Sequence, residues 1–285
     1  MEQKELQKLK ETAVTIREDI LRMTHAAKSG HPGGSLSAVE YLVYLYYKEM
    51  NINPNNPQWT ERDRFVLSKG HIAPALYAVL AHKGYFPAKD LLTLRKFNSH
   101  LQGHPNMNDT AGIDMSTGSL GQGVSTACGM AKAAKYKGQD LNVYTLLGDG
   151  ETNEGQVWEA IAFAVHYKLN NLCVAIDENG LQLDGTTKEV MGAGDLLNRF
   201  AALGAKALRI NGHDFNEIER GFEFFHNNKA SDAPTILLLQ TVKGKGISYM
   251  ENIVGWHGKA PNDDELSLGL AELAKAKQKI LEGQA

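Results

Sequence analysis

Two short segments combine an acidic side chain, an amide and glycines at a spacing that could grip a charged ligand. Gly148-Asp149-Gly150-Glu151-Thr152-Asn153-Glu154-Gly155 follows the apolar run 143–147, and Asp177-Glu178-Asn179-Gly180-Leu181 follows the run 172–176. Asp149 and Asn179 are separated by about one strand-helix-strand unit, which predicts that both lie at neighbouring strand ends. A carboxylate and an amide oxygen meeting there suit a hard divalent cation, and backbone N–H groups around Gly150 suit a phosphate. Together they predict a site for a metal-bound diphosphate. Taken singly, Gly-Asp-Gly also serves as a tight turn and Asn179 as a turn former.

Five of the ten histidines lie beside glycine in loop-like contexts: Gly30-His31-Pro32, Gly70-His71-Ile72, Gly103-His104-Pro105, Gly212-His213-Asp214 and Trp256-His257-Gly258. Imidazoles on glycine-containing loops can donate, accept or carry a proton near neutral pH, so several together suggest a polar catalytic cavity. No H-E-x-x-H or similar close pair points to zinc. His213 reads instead as part of a strand-to-helix turn with Asp214 as N-cap, and His25, His82, His100, His166 and His226 read as structural. Gly118-Ser119-Leu120-Gly121-Gln122-Gly123 has neither the offsets of a dinucleotide fingerprint nor those of a phosphate loop, so a nucleotide is not indicated.

The elements that must hold these residues can be outlined from periodicity. Leu6, Leu9, Ala13, Ile16, Ile20 and Met23 give a first helix that stops at Lys28–Gly34, a stretch in which helix is not expected. A second helix is expected to begin after Ser35 or Ser37 and run through Leu45, its aromatic stripe packed into the core or against another chain. From residue 141, apolar runs at 143–147, 172–176, 207–210 and 235–239 alternate with helical stretches at 154–168, 195–203 and 214–228. A further helix is expected from Ser125 to Lys135, and a capped one over 262–283. Continuous apolar strands with intervening helices predict an α/β fold, a parallel sheet flanked by helices with right-handed crossovers. In such sheets ligands bind beyond the carboxyl ends of the strands, where the two segments fall.

Composition narrows the functional classes. The 285 residues carry 30 Lys+Arg against 33 Asp+Glu, a net charge of −3 that offers a polyanion no attraction, so nucleic acid is excluded as an expected partner. No run approaches the roughly 20 apolar residues of a membrane span. The charged N-terminus has no signal-peptide core, which predicts a cytoplasmic protein, and Cys128 and Cys173 are expected to be buried, reduced thiols.

With these segments assembled, the chain resembles the N-terminal, diphosphate-binding half of the transketolase family of thiamine diphosphate enzymes. Gly148-Asp149-Gly150 with Asn179 about thirty residues on resembles the thiamine diphosphate motif. Transketolase in particular is suggested by Ser29-Gly30-His31-Pro32-Gly33-Gly34, Ser68-Lys69-Gly70-His71, Gln102-Gly103-His104-Pro105, Ser116-Thr117-Gly118-Ser119-Leu120-Gly121-Gln122-Gly123 and Gly255-Trp256-His257-Gly258. The likeness runs from about residue 10 to 262.

The resemblance implies thiamine diphosphate and Mg2+ (or Ca2+) as cofactors in a PP-type domain spanning 1–285, with an N-terminal helical arm and a C-terminal helix. It makes Asp149, Asn179 and the Leu181 carbonyl the metal ligands, and Gly150 a diphosphate ligand. His71 and His257 would reach toward the diphosphate, and Gly118, Ser119 and Leu120 would line the coenzyme rings. His31, His104 and His257 would face the sugar, binding the C1 hydroxyl or accepting the C3 hydroxyl proton. Glu154 would join an acidic network between paired sites.

The implied reaction moves a two-carbon ketol unit from a ketose, or its phosphate, to an aldose. The chain ends before the pyrimidine and C-terminal domains that complete such enzymes. The resemblance therefore implies a split enzyme whose α subunit pairs with a separate pyrimidine-domain subunit, forming an α2β2 heterotetramer; the charged ending KAKQKILEGQA reads as a natural terminus. Subunits of 1-deoxyxylulose-5-phosphate synthase and 2-oxo acid dehydrogenases share the Gly-Asp-Gly…Asn site. The several histidines weigh against the dehydrogenases, and the Trp256-His257 segment favours ketol transfer. A binding module without catalysis is the remaining alternative.

Overall fold

Five apolar runs pair edge to edge into one parallel sheet in the computed structural model, which describes residues 1–284. The strands are β1 (Arg64–Leu67), β2 (Val143–Gly148), β3 (Leu172–Glu178), β4 (Lys206–Asn211) and β5 (Thr235–Gln240), in the order β1-β2-β3-β5-β4. Alternate side chains enter opposite cores, because successive Cβ atoms in a strand point to opposite faces. Tyr144, Leu146, Cys173, Ala175, Leu237 and Leu239 pack on one face. Val143, Leu147, Val174, Ile176, Ile236 and Leu238 pack on the other. With both faces covered, the strands need no polar alternation, which is why they read as unbroken hydrophobic runs.

The first face is covered by α1 (Gln3–Ala27), α3 (Val39–Tyr44), α4 (Ala73–Lys83) and α9 (Phe215–Asn228), and the second by α5 (Gln122–Tyr136), α6 (Gly155–His166) and α8 (Leu196–Ala202). The capped helix expected at the C-terminus is α10 (Asp263–Leu281), with Asn262 in a capping box, and it lies along α1. The aromatic stripe of α3 is core: Tyr41 and Tyr44 stack on Phe222 of α9 with ring centroids 5.8 and 5.4 Å apart. Burying a side chain of that size stabilises the fold by roughly 3 kcal/mol. Both cysteines are free and buried.

Four points differ from expectation. Helix is sustained where glycines argued against it: α2 (Pro32–Ser37) starts at Pro32, whose fixed φ suits a first helical position. A Cβ on Gly33 would stand 2.7 Å from the Trp256 carbonyl, so glycine here permits close packing rather than ending a helix. The second helix is accordingly divided, α2 ending at Ser37 and α3 continuing into a π-turn at Leu45–Glu49. The edge strand β1 was not expected; four residues are too few to show a period. Strand β3 also runs two residues further than the apolar run, because Asp177 and Glu178 keep ladder partners in β5.

Candidate functional site

The carboxyl ends of β1, β2, β3 and β5 open into one cavity of about 470 Å³. Register alone brings the two sequence segments there: Gly148 pairs with Asp177 across β2 and β3, so Asp149, one residue on, and Asn179, two residues on, leave adjacent strand ends. Asp149 is 8% exposed, and its carboxylate accepts the Gly150 N–H at 2.8 Å and the Gly180 N–H at 2.6 Å. Burial and the nearby charge of Asp177 raise its pKa to about 6. The Asn179 amide is held by donation to Asp177 Oδ2 at 2.9 Å and by accepting the Leu181 N–H at 3.1 Å. Short helix α7 (Thr187–Met191) closes this side of the cavity through Met191.

Beneath them lies a buried ion pair. Lys69, just beyond β1, donates to Asp177, and Ser37 and Thr241 add hydroxyl donors to the same carboxylate. Burial alone would raise the Asp177 pKa, but the Lys69 ammonium and these donors hold it below the usual carboxylate range. Glu151 is a second brace: its carboxylate accepts the Gly121 N–H at 2.9 Å and the Gly148 N–H at 3.1 Å, with Ser68 as a further donor. It ties the glycine-rich turn before α5 to the start of the Asp149 segment.

Three imidazoles stand in a triangle at one side of the cavity. His31, His71 and His257 have ring centroids 5.3 to 5.4 Å apart. They come from the turn before α2, the turn after β1 and the turn following Ile253. Burial lowers all three: His31 to about 4, His257 to about 3 and His71 well below its ordinary value. The rings are therefore neutral at physiological pH. Lys243 Nζ lies 2.8 Å from His257 Nδ1, and an ammonium can only donate, so Nδ1 accepts and His257 keeps its proton on Nε2. Lys243 also approaches the Leu181 carbonyl at 3.4 Å, and burial, with the like charge of Lys69, lowers its pKa to about 8.

His71, Gly118, Leu120, Asp149, Gly150, Glu154, Asn179, Leu181 and His257 all line this cavity; His31, His104 and Ser119 do not. His31 joins it through its ring contacts, with Nδ1 buried and unpaired. His104 is exposed near the Gly118 backbone, where an added Cβ would meet its ring at 3.2 Å. Partial desolvation of its ring and the charge of Arg95 lower its pKa. Ser119 is exposed at the rim, and Glu154 is the exposed N-cap of α6.

The arrangement fits a metal-bound diphosphate. Asp149, Asn179 and the Leu181 carbonyl would offer mixed oxygen ligands to an ion here; among the described residues no three His, Cys, Asp or Glu side chains cluster to hold a metal. The Lys243 ammonium and the unpaired donor Gln182 Nε2, whose side chain lies against Gly150, suit anionic oxygens. Sequence reasoning assigned no role to Lys69, Asp177, Glu151, Gln182 or Lys243. A charged residue directly after the apolar run 172–176 marks Asp177. The rule that ligands gather beyond strand carboxyl ends applied equally to Thr241-Val242-Lys243 after β5, which it would have found.

Comparison with known proteins agrees with this geometry. Residues 9–279 match the family described as "Transketolase, thiamine diphosphate binding domain". The chain is 43% identical over 267 residues to the 6-deoxy-6-sulfo-D-fructose transketolase subunit of a Clostridium species, covering 94% of this chain and 96% of that one. It is 41% identical to an apulose-4-phosphate transketolase subunit of Phocaeicola vulgatus, covering 93% of each. The crystal structure of transketolase from Campylobacter jejuni superposes with a TM-score of 0.87 at 32% identity; that match takes in 97% of this chain and 46% of the other, so the chain spans less than half the length of that enzyme. The strand-end cavity and these matches have one reading: the chain belongs to the transketolase family, with the role of its N-terminal, thiamine diphosphate-binding subunit.

Proposed function

We propose that Asp149, Asn179 and the Leu181 carbonyl hold a magnesium or calcium ion that anchors the diphosphate of thiamine diphosphate, and that the assembled enzyme moves a two-carbon ketol unit from a ketose, or its phosphate, to an aldose. The observation that carries this reading is the convergence of a carboxylate, an amide, the Lys243 ammonium and a neutral imidazole, His257, on one cavity. When bound, the coenzyme supplies through its thiazolium an electron sink for breaking the C2–C3 bond of the ketose.

The protein's own groups do the rest. Lys243 offsets the diphosphate charge alongside the metal, Gln182 Nε2 and the Gly150 backbone donate hydrogen bonds to its oxygens, and His71 flanks the same end. Gly118, Ser119 and Leu120 border the rings, Leu120 excluding water. His31, His104 and His257 bind sugar hydroxyls, and an imidazole nitrogen among them takes the proton from the C3 hydroxyl. Because the rings are neutral, they can do so without placing a fixed charge beside the reacting carbons. The buried, unpaired Nδ1 of His31 is available for such a bond.

The chain works, in this reading, with a separate pyrimidine-domain subunit in an α2β2 heterotetramer, Glu154 belonging to an acidic network between paired sites. Support comes from the relatives named as transketolase subunits and from the cavity mouth, where Leu120, Leu183 and Met191 are 37%, 61% and 63% exposed. Covering such apolar side chains favours association. A cytoplasmic location accords with the two reduced, buried thiols; no helix among the described residues is long and apolar enough to cross a membrane.

The test is reconstitution. The purified chain mixed with a pyrimidine-domain partner, thiamine diphosphate and Mg2+ should transfer a ketol unit from a ketose phosphate to an aldose. Calorimetry on the chain should show metal-dependent coenzyme binding. Binding without transfer in any such mixture would leave only a binding role.

A further inference from the structure

Lys243 sits on a loop whose geometry is set partly from outside the cavity. The loop, residues 241–246, follows β5 and has few side chains of its own to fix it. Thr241 donates to Asp177, and the Lys243 carbonyl accepts the Asn252 N–H at 2.9 Å. The Gly244 N–H donates to the Gly33 carbonyl and the Gly246 N–H to Glu251 Oε1, each at 2.9 Å, and the ties at the Val242 N–H and the Lys245 carbonyl come from a buried charge cluster on the far side of the loop. Arg17 of α1 donates through Nη2 to both carboxylate oxygens of Glu40 on α3, at 2.7 and 2.9 Å, and through Nε to the Lys245 carbonyl at 2.9 Å. His213, in the turn between β4 and α9, lies 3.0 Å by Nδ1 from Glu40 Oε2 and 2.8 Å by Nε2 from the Val242 backbone N–H.

The two contacts of His213 fix its tautomer. An amide N–H only donates, so Nε2 must accept; the ring proton therefore sits on Nδ1 and is donated to Glu40. Burial favours the neutral form of Glu40, but the Arg17 charge and the His213 bond outweigh it and hold the carboxylate ionised, with a pKa of about 2. Each member thus has one chemically permitted role.

We infer that Glu40, Arg17 and His213 are positioning residues for the reaction, a clamp of neutral Nδ1–H imidazole, carboxylate and guanidinium that grips the loop at Val242 and Lys245 and so sets Lys243 against the cavity. That Lys243 meets a diphosphate rests on the function proposed above; that the clamp holds the loop does not. His213, which the sequence presents as a turn residue, reaches past its own turn to the backbone next to Lys243.

Two isosteres separate the two bonds of the ring. His213→Gln places an acceptor where Nε2 lay and keeps the Val242 contact, whereas His213→Asn places a donor where Nδ1 lay and keeps only the Glu40 contact. In the full chain, amide hydrogen exchange at Val242 should stay near wild type in His213→Gln and quicken by roughly 10-fold in His213→Asn, the expected effect of losing one backbone bond. Thiamine diphosphate titrated with Mg2+ should bind within about 3-fold of wild type to the first and roughly 10-fold more weakly to the second. In a Lys243→Met background the difference between the two variants should vanish.

Equal protection of Val242 in both variants would overturn the clamp. So would an undiminished affinity difference in the Lys243→Met background, because a general structural defect would not depend on that side chain. Long-range 1H–15N NMR of the unaltered chain decides the tautomer even if a variant fails to fold: an unprotonated Nε2 supports the proposal and a protonated one overturns it. If wild type binds no thiamine diphosphate while the exchange contrast holds, the cofactor assignment falls and the clamp stands.

Discussion

The floor and the rim of the cavity are built on opposite principles. On the floor, Asp177, Lys69, Asp149 and Glu151 are nearly all buried, and each carboxylate is met by an ammonium, hydroxyls or backbone N–H groups. At the rim, His31 has an unpaired nitrogen, His104 is exposed beside the Gly118 backbone, and Leu120 projects toward solvent. Charge that must be held without water demands fixed partners. Groups that must exchange hydrogen bonds with arriving substrates lose by having them. The floor is therefore shaped for something that stays, and the rim for something that comes and goes.

If so, damage to the floor should show first in stability and cofactor binding. The largest effect is expected from Asp177→Ala, which leaves the Lys69 ammonium buried without its partner; removing one member of a buried pair costs about 3–5 kcal/mol. Chemical denaturation would read it, and a loss within error of zero would show that water reaches the pair. Asp149→Ala leaves the ion pair intact but takes away the carboxylate proposed to hold the metal. It should weaken metal-dependent thiamine diphosphate binding by roughly 100-fold, at or above the upper end for outer-shell partners, while the melting temperature of the unliganded chain changes little. Near-normal affinity by calorimetry would remove Asp149 from the metal set.

Rim substitutions should reverse that pattern. His31→Ala and His104→Ala in the reconstituted enzyme should lower kcat/KM for the ketose donor by roughly 10- to 100-fold, the scale of a lost proton-transfer group. Coenzyme affinity should stay within about 3-fold of wild type, since neither ring lines the cavity. Loss of coenzyme binding instead would erase the distinction between floor and rim.

The floor was only half legible in the sequence, and the physical reason is the same. Asp149 and Asn179 stand among glycines just past apolar runs, so local pattern exposes them. Lys69 and Asp177 acquire meaning only through each other, across β1, β2 and β3, and the four-residue β1 that brings Lys69 there carries no period to read. Long, regular elements such as α1, α9 and the four apolar strands were readable because burial of a whole face imposes a repeat. The Pro32-Gly33-Gly34 helix start was not, because its glycines answer to the Trp256 carbonyl, a contact of long sequence separation. His213 escaped notice for a like reason: its partners belong to α3 and to the loop after β5.

The last expected effect concerns pH. His31 and His257 have pKa values lowered to about 4 and about 3, first by burial, against 6.5 for a free imidazole. Below pH 6.5 the unfolded chain binds protons that the folded chain refuses, so falling pH favours the unfolded state. Stability from these neutral rings is therefore complete above pH 6.5, declines as pH falls below it, and is gone once the solution passes through about 4 and then 3. The melting temperature should drop between pH 7.5 and 4.5, and the His31→Gln, His257→Gln double variant, which cannot take up those protons, should drop less. Floor carboxylates give no such relief when the rim is altered, because their partners remain. An identical decline in the variant and the wild type would place the acid sensitivity on the floor, in Asp177 and its neighbours, and would leave the rim imidazoles free to charge without cost to the fold.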